Sequence, residues 1–299
     1  MQVLKLAGRA VLASVAIGAL VIAVVYAKTD WQIRHRVPVP DVPPLAIATD
    51  SASIARGAHF ASAVAGCTHC HGKDLGGDTV VNEPGMLRLT APNLTTGRGG
   101  VLRRYGNTAL DVAIRHGVAP DGRVLIIMPS HEYAGYADDH VAAIIAYLRS
   151  RPPVDRTVAP IWIGPLIRAL NVAGQITLFP YYKIDHARRP TAIAPTGPTV
   201  EHGRYIAQGC TGCHGPNLSG GPIAGAPPDW PPAANLTPTG IGSWTDDDFV
   251  RALREGKRPD GTAISPRMPW QQLGEMTDDE LIALRRYLAT VAPAATGSR

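Results

Sequence analysis

Aromatic residues make up only 6% of this 299-residue chain, three of them phenylalanine. So few rings, set against 31 glycines and 27 prolines, point to small domains rich in loops. They also leave room for a bound group to take over part of the core. There is no long basic run and the net charge is only +5, which gives a nucleic-acid surface no support. No convincing period-two strand pattern appears, so the expected structure is helical. Cysteine is scarce as well: four residues in two close pairs, which admit a disulfide, a zinc site, a dithiol redox centre or a covalently attached prosthetic group. What the chain does have is 45% hydrophobic residues, enough for a folded protein rather than a disordered one.

The longest apolar run is Ala10–Ala27 (AVLASVAIGALVIAVVYA), without a charge. As a helix rising about 1.5 Å per residue it just spans a bilayer core. Lys5 and Arg9 precede it and the first acidic residue is Asp30. That bias places the N-terminus in the cytoplasm and exports the remainder. Tyr26 and Trp31 stand where interfacial aromatics belong. Val25-Tyr26-Ala27 would also serve as a signal-peptidase site. An uncleaved anchor over 1–30 is the expectation, because the run is long for a signal core and Trp31 lies close behind it. Val37–Pro44 (VPVPDVPP) reads as an extended spacer, 31–49, holding the first domain away from the bilayer.

Beyond the spacer the chain repeats itself once. AGCTHCHGKDLGG (from Ala65) matches QGCTGCHGPNLSGG (from Gln208), and PNLT at Pro92 matches ANLT at Ala234. IRHGVAPDG at Ile114 matches LREGKRPDG at Leu253, Met128-Pro129 matches Met268-Pro269, and ADDHVAAIIAYLRS at Ala137 matches TDDELIALRRYLAT at Thr277. From first cysteine to methionine the separations are 61 and 58 residues. Two long copies indicate a duplicated domain rather than a solenoid. The expected units are 50–154 and 198–293, joined by a linker at 155–197 and ending in a tail at 294–299. Helices are expected over 108–116 and 245–254, ending at Gly117 and Gly256, and in the closing stretch of each copy, where Asp138, Asp139, Asp278 and Asp279 suit a helix N-terminus and Thr277 a cap.

The paired cysteines are Cys67-Thr68-His69-Cys70-His71 and Cys210-Thr211-Gly212-Cys213-His214. Cys-x-x-Cys-His is the attachment signature of c-type haem: two thioethers at the porphyrin edge, with the histidine turned toward iron. Zinc would need four converging ligands, and a thioredoxin-like centre would need a strand–helix setting and leaves the histidines unexplained. Two covalently bound haem c groups are therefore expected, held by Cys67, Cys70, Cys210 and Cys213 with His71 and His214 as axial ligands. Electron carriers often add a methionine on the other side of iron. Of the five methionines only Met128 and Met268 are paired by the repeat, each ahead of a proline that fixes the backbone. His116 and His131 rival Met128 in the first copy but have no histidine counterpart in the second. His59, His69, His140, His186 and His202 read as surface or capping residues. Asn93 and Asn235 are expected to order a loop facing the haem. Tyr105 and Trp244 are candidates for the haem edge, and Arg103, Arg104 and Arg267 for its propionates.

On CTHCH and CTGCH, PNLT and ANLT, APDG and RPDG, MPS and MPW and the closing helices, the sequence resembles the class I c-type cytochromes. It is especially similar to cytochrome subunits of membrane-bound alcohol, aldehyde and gluconate dehydrogenases, many of which carry three motifs. The resemblance implies an all-α fold of two tandem class I cytochrome c domains behind an N-terminal transmembrane helix. It implies a non-catalytic electron-transfer protein on the periplasmic side of a bacterial inner membrane, passing electrons from a dehydrogenase to the respiratory chain. The expected partners are membrane lipid and a redox protein: a dehydrogenase subunit, a terminal oxidase or another cytochrome. The alternatives are a cytochrome subunit of a terminal oxidase, or a dihaem enzyme of peroxidase or thiosulfate-oxidising type. The apolar stretch Ile161–Tyr182 carries Pro165, Arg168, Asn171 and Gln175, which argue against a second span; packing between the domains or on a partner is expected.

Overall fold

A single helix, α1 (Gln2–Arg34), opens the computed structural model, which describes residues 2–226 and 229–298. At about 1.5 Å per residue it is ~50 Å long. Among the described residues nothing covers its apolar stretch, and it is long and apolar enough to cross a membrane. The helix runs four residues past the predicted anchor boundary, and its last turns pack against the linker.

The segment after α1 does not stand off as a free spacer. Val37 donates its N–H to the Gly122 carbonyl (2.9 Å), and Val37 and Val42 are buried against Val112, Val118 and Val124. Val39 between them stays exposed, so the segment is pinned at Val37 and Val42 rather than along one continuous face.

Next come α2 (Ser51–His59), a π turn at Phe60–Val64 and α3 (Cys67–His71). Asp50 caps α2 by accepting from Ser53 N–H (2.9 Å). A hairpin comes after it, β1 (Asp78–Glu83) and β2 (Leu87–Ala91), turning at Gly85 with φ +77°. Then come α4 (Asn107–His116), α5 (Ser130–Tyr133) and α6 (Asp138–Ser150). Beyond α6 lie β3 (Trp162–Ile163) and α7 (Pro165–Val172). The chain continues through α8 (Val200–Ile206), α9 (Thr211–His214) and α10 (Pro238–Ile241) to α11 (Asp246–Glu255), α12 (Trp270–Leu273) and α13 (Asp278–Thr290).

The structure is thus mostly helical rather than all-α, because β1, β2 and β3 form an antiparallel sheet in that order. Its signal is weak in sequence: β1 is largely solvent-exposed and β3 has two residues. The corresponding stretch after the second motif holds five prolines between Pro222 and Pro232, which lack the N–H a ladder needs. Among the described residues it forms only one isolated bridge, Gly221 to Ala233.

The expected helix ends are found. Gly117 and Gly256 sit just past α4 and α11 at φ +66° and +68°. Thr277 with Glu280, and Thr245 with Asp248, close capping boxes on α13 and α11. In each half the helix before the motif crosses the closing helix at a glycine. A Cβ built at Gly57 would lie 1.9 Å from the Ala143 carbonyl oxygen, and one at Gly203 1.9 Å from that of Ala283. Arg115 and Arg254, at matching positions, reach the first-turn carboxylates Asp138 (2.6 Å) and Asp278 (2.8 Å).

One buried cluster runs through both halves, from Phe60, Tyr136, Ile144 and Leu148 to Tyr205, Phe249, Leu281 and Leu288. A second contains Ile163, Ile167, Leu178 and Phe179 together with Val37, Val112 and Val118. The apolar linker therefore packs mainly on the first half and the foot of α1, and reaches the second half at Ile176, whose side chain lies 2.5 Å from a Cβ built at Gly225. Phe179 and Leu178 close over α4 while Ile127 N–H donates to the Leu178 carbonyl (2.8 Å).

Candidate functional site

Both Cys-x-x-Cys-His motifs form one turn of helix, α3 in the first half and α9 with the preceding 3₁₀ turn in the second. Each is succeeded by a glycine with positive φ, Gly72 (+79°) and Gly215 (+80°), which swings the chain away from the histidine. Leu75 and Leu218, each eight residues after its first cysteine, also take positive φ (56° and 61°) and are buried. Such a conformation is uncommon for leucine and costs of order 1 kcal/mol or more. The same hydrogen bonds hold it in both halves. Gly77 N–H donates to His71 O (2.9 Å) and Gly220 N–H to His214 O (2.8 Å); Leu94 N–H donates to Leu75 O (2.7 Å) and Leu236 N–H to Leu218 O (2.9 Å).

The imidazoles are fixed alike. His71 Nδ1 lies 2.8 Å from the Pro92 carbonyl, and His214 Nδ1 2.8 Å from that of Ala234. A carbonyl only accepts, so Nδ1 carries the proton and Nε2 keeps its lone pair. Burial lowers both rings below their ordinary value of 6.5 against the opposing pull of those carbonyls, so they are neutral near pH 7. A neutral ring with its far nitrogen held by backbone is the arrangement of a metal-ligating histidine.

The four cysteines are unpaired. Burial, with the neighbouring thiol adding to it, pushes Cys67 up to about 12, and burial with Glu132 does the same to Cys210. Thiols so reluctant to ionise are poor dithiol redox nucleophiles. Among the described residues no three or more His, Cys, Asp and Glu side chains converge as a structural metal site would require. Paired thiols beside a neutral imidazole with a free Nε2 are, in contrast, the donor set of a covalently attached haem.

Met128 and Met268 occupy matching turns. Pro129 (φ −78°, ψ 48°) and Pro269 (φ −77°, ψ 50°) are nearly superposable. In each, the N–H two residues on donates to the methionine carbonyl at 2.8 Å, an inverse γ-turn. Both methionines are half-buried against the shared core. Ile127, just before Met128, takes φ +61°, a strained state for a β-branched residue.

Asn93 and Asn235 do order loops, by one shared device. Each side-chain oxygen accepts from a threonine two residues on, backbone and hydroxyl both (Thr95 at 2.9 and 2.8 Å; Thr237 at 2.9 and 2.7 Å). Each amide donates to the chain leaving the closing helix, Val154 O at 2.7 Å and Ala294 O at 2.8 Å. The asparagines thus tie the loop whose Pro92 and Ala234 carbonyls hold the imidazoles.

The other candidates are spread out. Tyr105 and Trp244 lie half-buried on the core. Arg103 Nε donates to Thr96 O (2.5 Å), Arg267 covers the Trp230 ring at 4.6 Å, and Arg104 is exposed. His116 Nδ1 is 3.0 Å from His186 Nδ1, and His131 Nδ1 is buried without a partner. Three of the histidines read as surface or capping residues make defined contacts within the fold. His202 is buried with Nδ1 on Gly197 O, His140 meets the Tyr205 hydroxyl at 3.0 Å, and His59 pairs with Glu280 at 2.8 Å across the two halves.

Sequence reasoning passed over a reciprocal contact. Glu132 in α5 faces the second motif: a Cβ at Gly212 would lie 2.4 Å from its Oε1, and burial raises its carboxyl to about 7. Gln272 in α12, at the matching position, donates to Ser62 O beside the first motif. Each methionine turn thereby leads into a helix set against the other half's cysteine turn. The repeat alignment pairs Glu132 with Gln272, which was the available signal.

Residues 200–292 match the family model described as cytochrome c. The chain is 28% identical over 270 residues to the fructose dehydrogenase cytochrome subunit of Gluconobacter japonicus, covering 80% of this chain and 52% of that protein. It is 29% identical over 273 residues to the cytochrome c subunit of the quinone alcohol dehydrogenase of Gluconacetobacter polyoxogenes (82% and 57%). To the gluconate 2-dehydrogenase cytochrome c subunit of Pantoea cypripedii it is 28% identical over 284 residues (82% and 62%). The alignments thus span little more than half the length of these curated relatives.

Proposed function

We propose that this chain is a membrane-anchored dihaem c-type cytochrome, the non-catalytic electron-transfer subunit of a dehydrogenase, which hands single electrons toward the respiratory chain. Its two cytochrome c domains are 50–154 and 198–293, on the periplasmic side of a bacterial inner membrane with α1 as the span. The observation that carries the reading is the duplicated histidine: twice, a Cys-x-x-Cys-His turn presents an imidazole with Nδ1 donated at 2.8 Å to a loop carbonyl and Nε2 left over. The relatives are cytochrome subunits of sugar, alcohol and gluconate dehydrogenases, which supports a dehydrogenase as electron donor.

Haem, once attached, supplies reversible one-electron chemistry at iron. Cys67 and Cys70, and Cys210 and Cys213, would hold it covalently. His71 and His214 would bind the iron through Nε2, with Pro92 and Ala234 locking each ring in one tautomer. Met128 and Met268 would supply a thioether to each iron, a ligand that favours the reduced metal and raises its potential. The proline γ-turns fix the backbone of each methionine.

The test is the weak far-red charge-transfer band of oxidised His/Met haem. Met128→Ala and Met268→Ala are each expected to remove about half of it and to lower one of two potentials. Survival of the full band in the double variant overturns the ligand assignment.

A further inference from the structure

The segment after the first half carries an apolar face that none of the described residues covers, docked at the foot of α1. Helix α7 is docked on the foot of α1 by polar contacts: Arg168 to Asp30 at 2.7 Å, Asn171 to Gln32 at 2.9 Å, and the Arg168 guanidinium over the Tyr26 ring at 4.5 Å. Its inner residue Ile167 is buried in the second cluster. The outward positions are Pro165, Leu166, Ala169 and Ala173, at helical spacing, all exposed and all apolar. Leu166 is 52% exposed, and Trp162 just before the helix 44%. A solvent-facing helix surface would ordinarily be polar there.

The level of this face decides its occupant. The uncharged run of α1 ends at Ala27. Asp30 and Gln32 lie only about 4.5 and 7.5 Å further along the helix axis. The headgroup layer is itself about 5–8 Å thick on each side of the hydrocarbon. With α1 spanning, α7 is held within the headgroup region. Lys28 and Arg34, exposed at the same level, suit anionic headgroups.

We infer that α7, with Trp162, is a second membrane contact: a short interfacial helix laid on the phospholipid surface beside the anchor, with the Arg168–Asp30 and Asn171–Gln32 bonds fixing its angle to α1. The contact sets the orientation of the first half relative to the bilayer, where a single span alone would leave it free to swivel. A short apolar face in the headgroup zone adds little affinity; its effect is directional.

Lipid contact by α7 presupposes that α1 is the anchor, and one experiment separates the two. A nitroxide is placed on Ala169→Cys, on Leu166→Cys, on Ala19→Cys within α1, and on Gly261→Cys in the second half, each in the full haem-loaded chain in phosphatidylethanolamine–phosphatidylglycerol nanodiscs. Collision with oxygen and with a nickel chelate gives each label's depth. Positions 169 and 166 are expected at the phosphate level, 19 within the hydrocarbon and 261 in water. If 19 is immersed while 169 and 166 collide with nickel as freely as 261, the inference is overturned and the anchor stands. If 169 and 166 are shielded from both reagents, protein rather than lipid covers the face, and the inference is again overturned. If 19 is in water, both readings fall.

Discussion

Gly203→Ala sets two opposing effects against each other. Gly203 lies inside α8, where alanine is the better helix former by about 1 kcal/mol. On propensity alone the variant gains stability. The crossing with α13 says otherwise, since the new Cβ would lie 1.9 Å from the Ala283 carbonyl oxygen and 2.7 Å from Tyr287 Cβ. A carbon–oxygen contact needs about 3.3 Å, so the helices must part by roughly 1.4 Å along that line. The obstacle is backbone and cannot rotate aside, which puts the overpacking cost near the upper end of ~1–3 kcal/mol. The net expectation is a loss of about 2 kcal/mol. Both halves share one core, so this lowers the melting temperature by about 4–8 °C. Far-UV circular dichroism and haem absorbance should fall together in a thermal melt of the purified protein. Gly57→Ala, against Ala143, should behave alike. An unchanged or raised melting temperature in both would refute the account of how the motif-bearing helices are seated.

Asn235→Ala removes a side chain bonded to four groups, two on Thr237 in its own loop and one each on Ala294 and Thr296 beyond α13; a loss of about 1–3 kcal/mol is expected, and a melt that matches wild type would contradict the bracing role. The His59–Glu280 bridge gives a pH dependence. Its hydrogen bond to Glu280 raises His59 above 6.5, so that contribution is complete below 6.5 and lost as pH rises through the raised value. Burial pushes Glu280 up, but bonds from His59 and Thr277 outweigh it and hold it below 4.5; its contribution is present above 4.5 and lost as pH falls through the lowered value. Across about pH 6–9 the excess melting temperature of wild type over His59→Gln should shrink as pH rises; a difference that stays constant would exclude the bridge as its source.

Most of what places the candidate site was legible because it was written twice. The two CxxCH turns, the methionine–proline pair, the asparagine–threonine loop and the closing helices align in sequence, and their hydrogen bonds align in structure. Positive φ at Leu75 and Leu218 was not legible, since leucine carries no signal for it; the surrounding turn imposes it. The small sheet was missed because β1 is exposed and β3 is minimal. The spacer was misread because Val37 and Val42 had no visible partner until they met Ile163 and Phe179 of the linker over α4. Contacts between halves, such as Glu132 on the second motif, depend on packing that no local pattern encodes.

The central claim is two haems on one chain, each held by its own cysteine pair. The direct measurement is haem per polypeptide, by pyridine haemochrome absorbance and intact mass under denaturing conditions. Two covalent haems are expected in wild type, one in Cys67→Ala plus Cys70→Ala, and one in Cys210→Ala plus Cys213→Ala. A wild-type chain carrying a single covalent haem, with one cysteine pair still free to react, would contradict the claim.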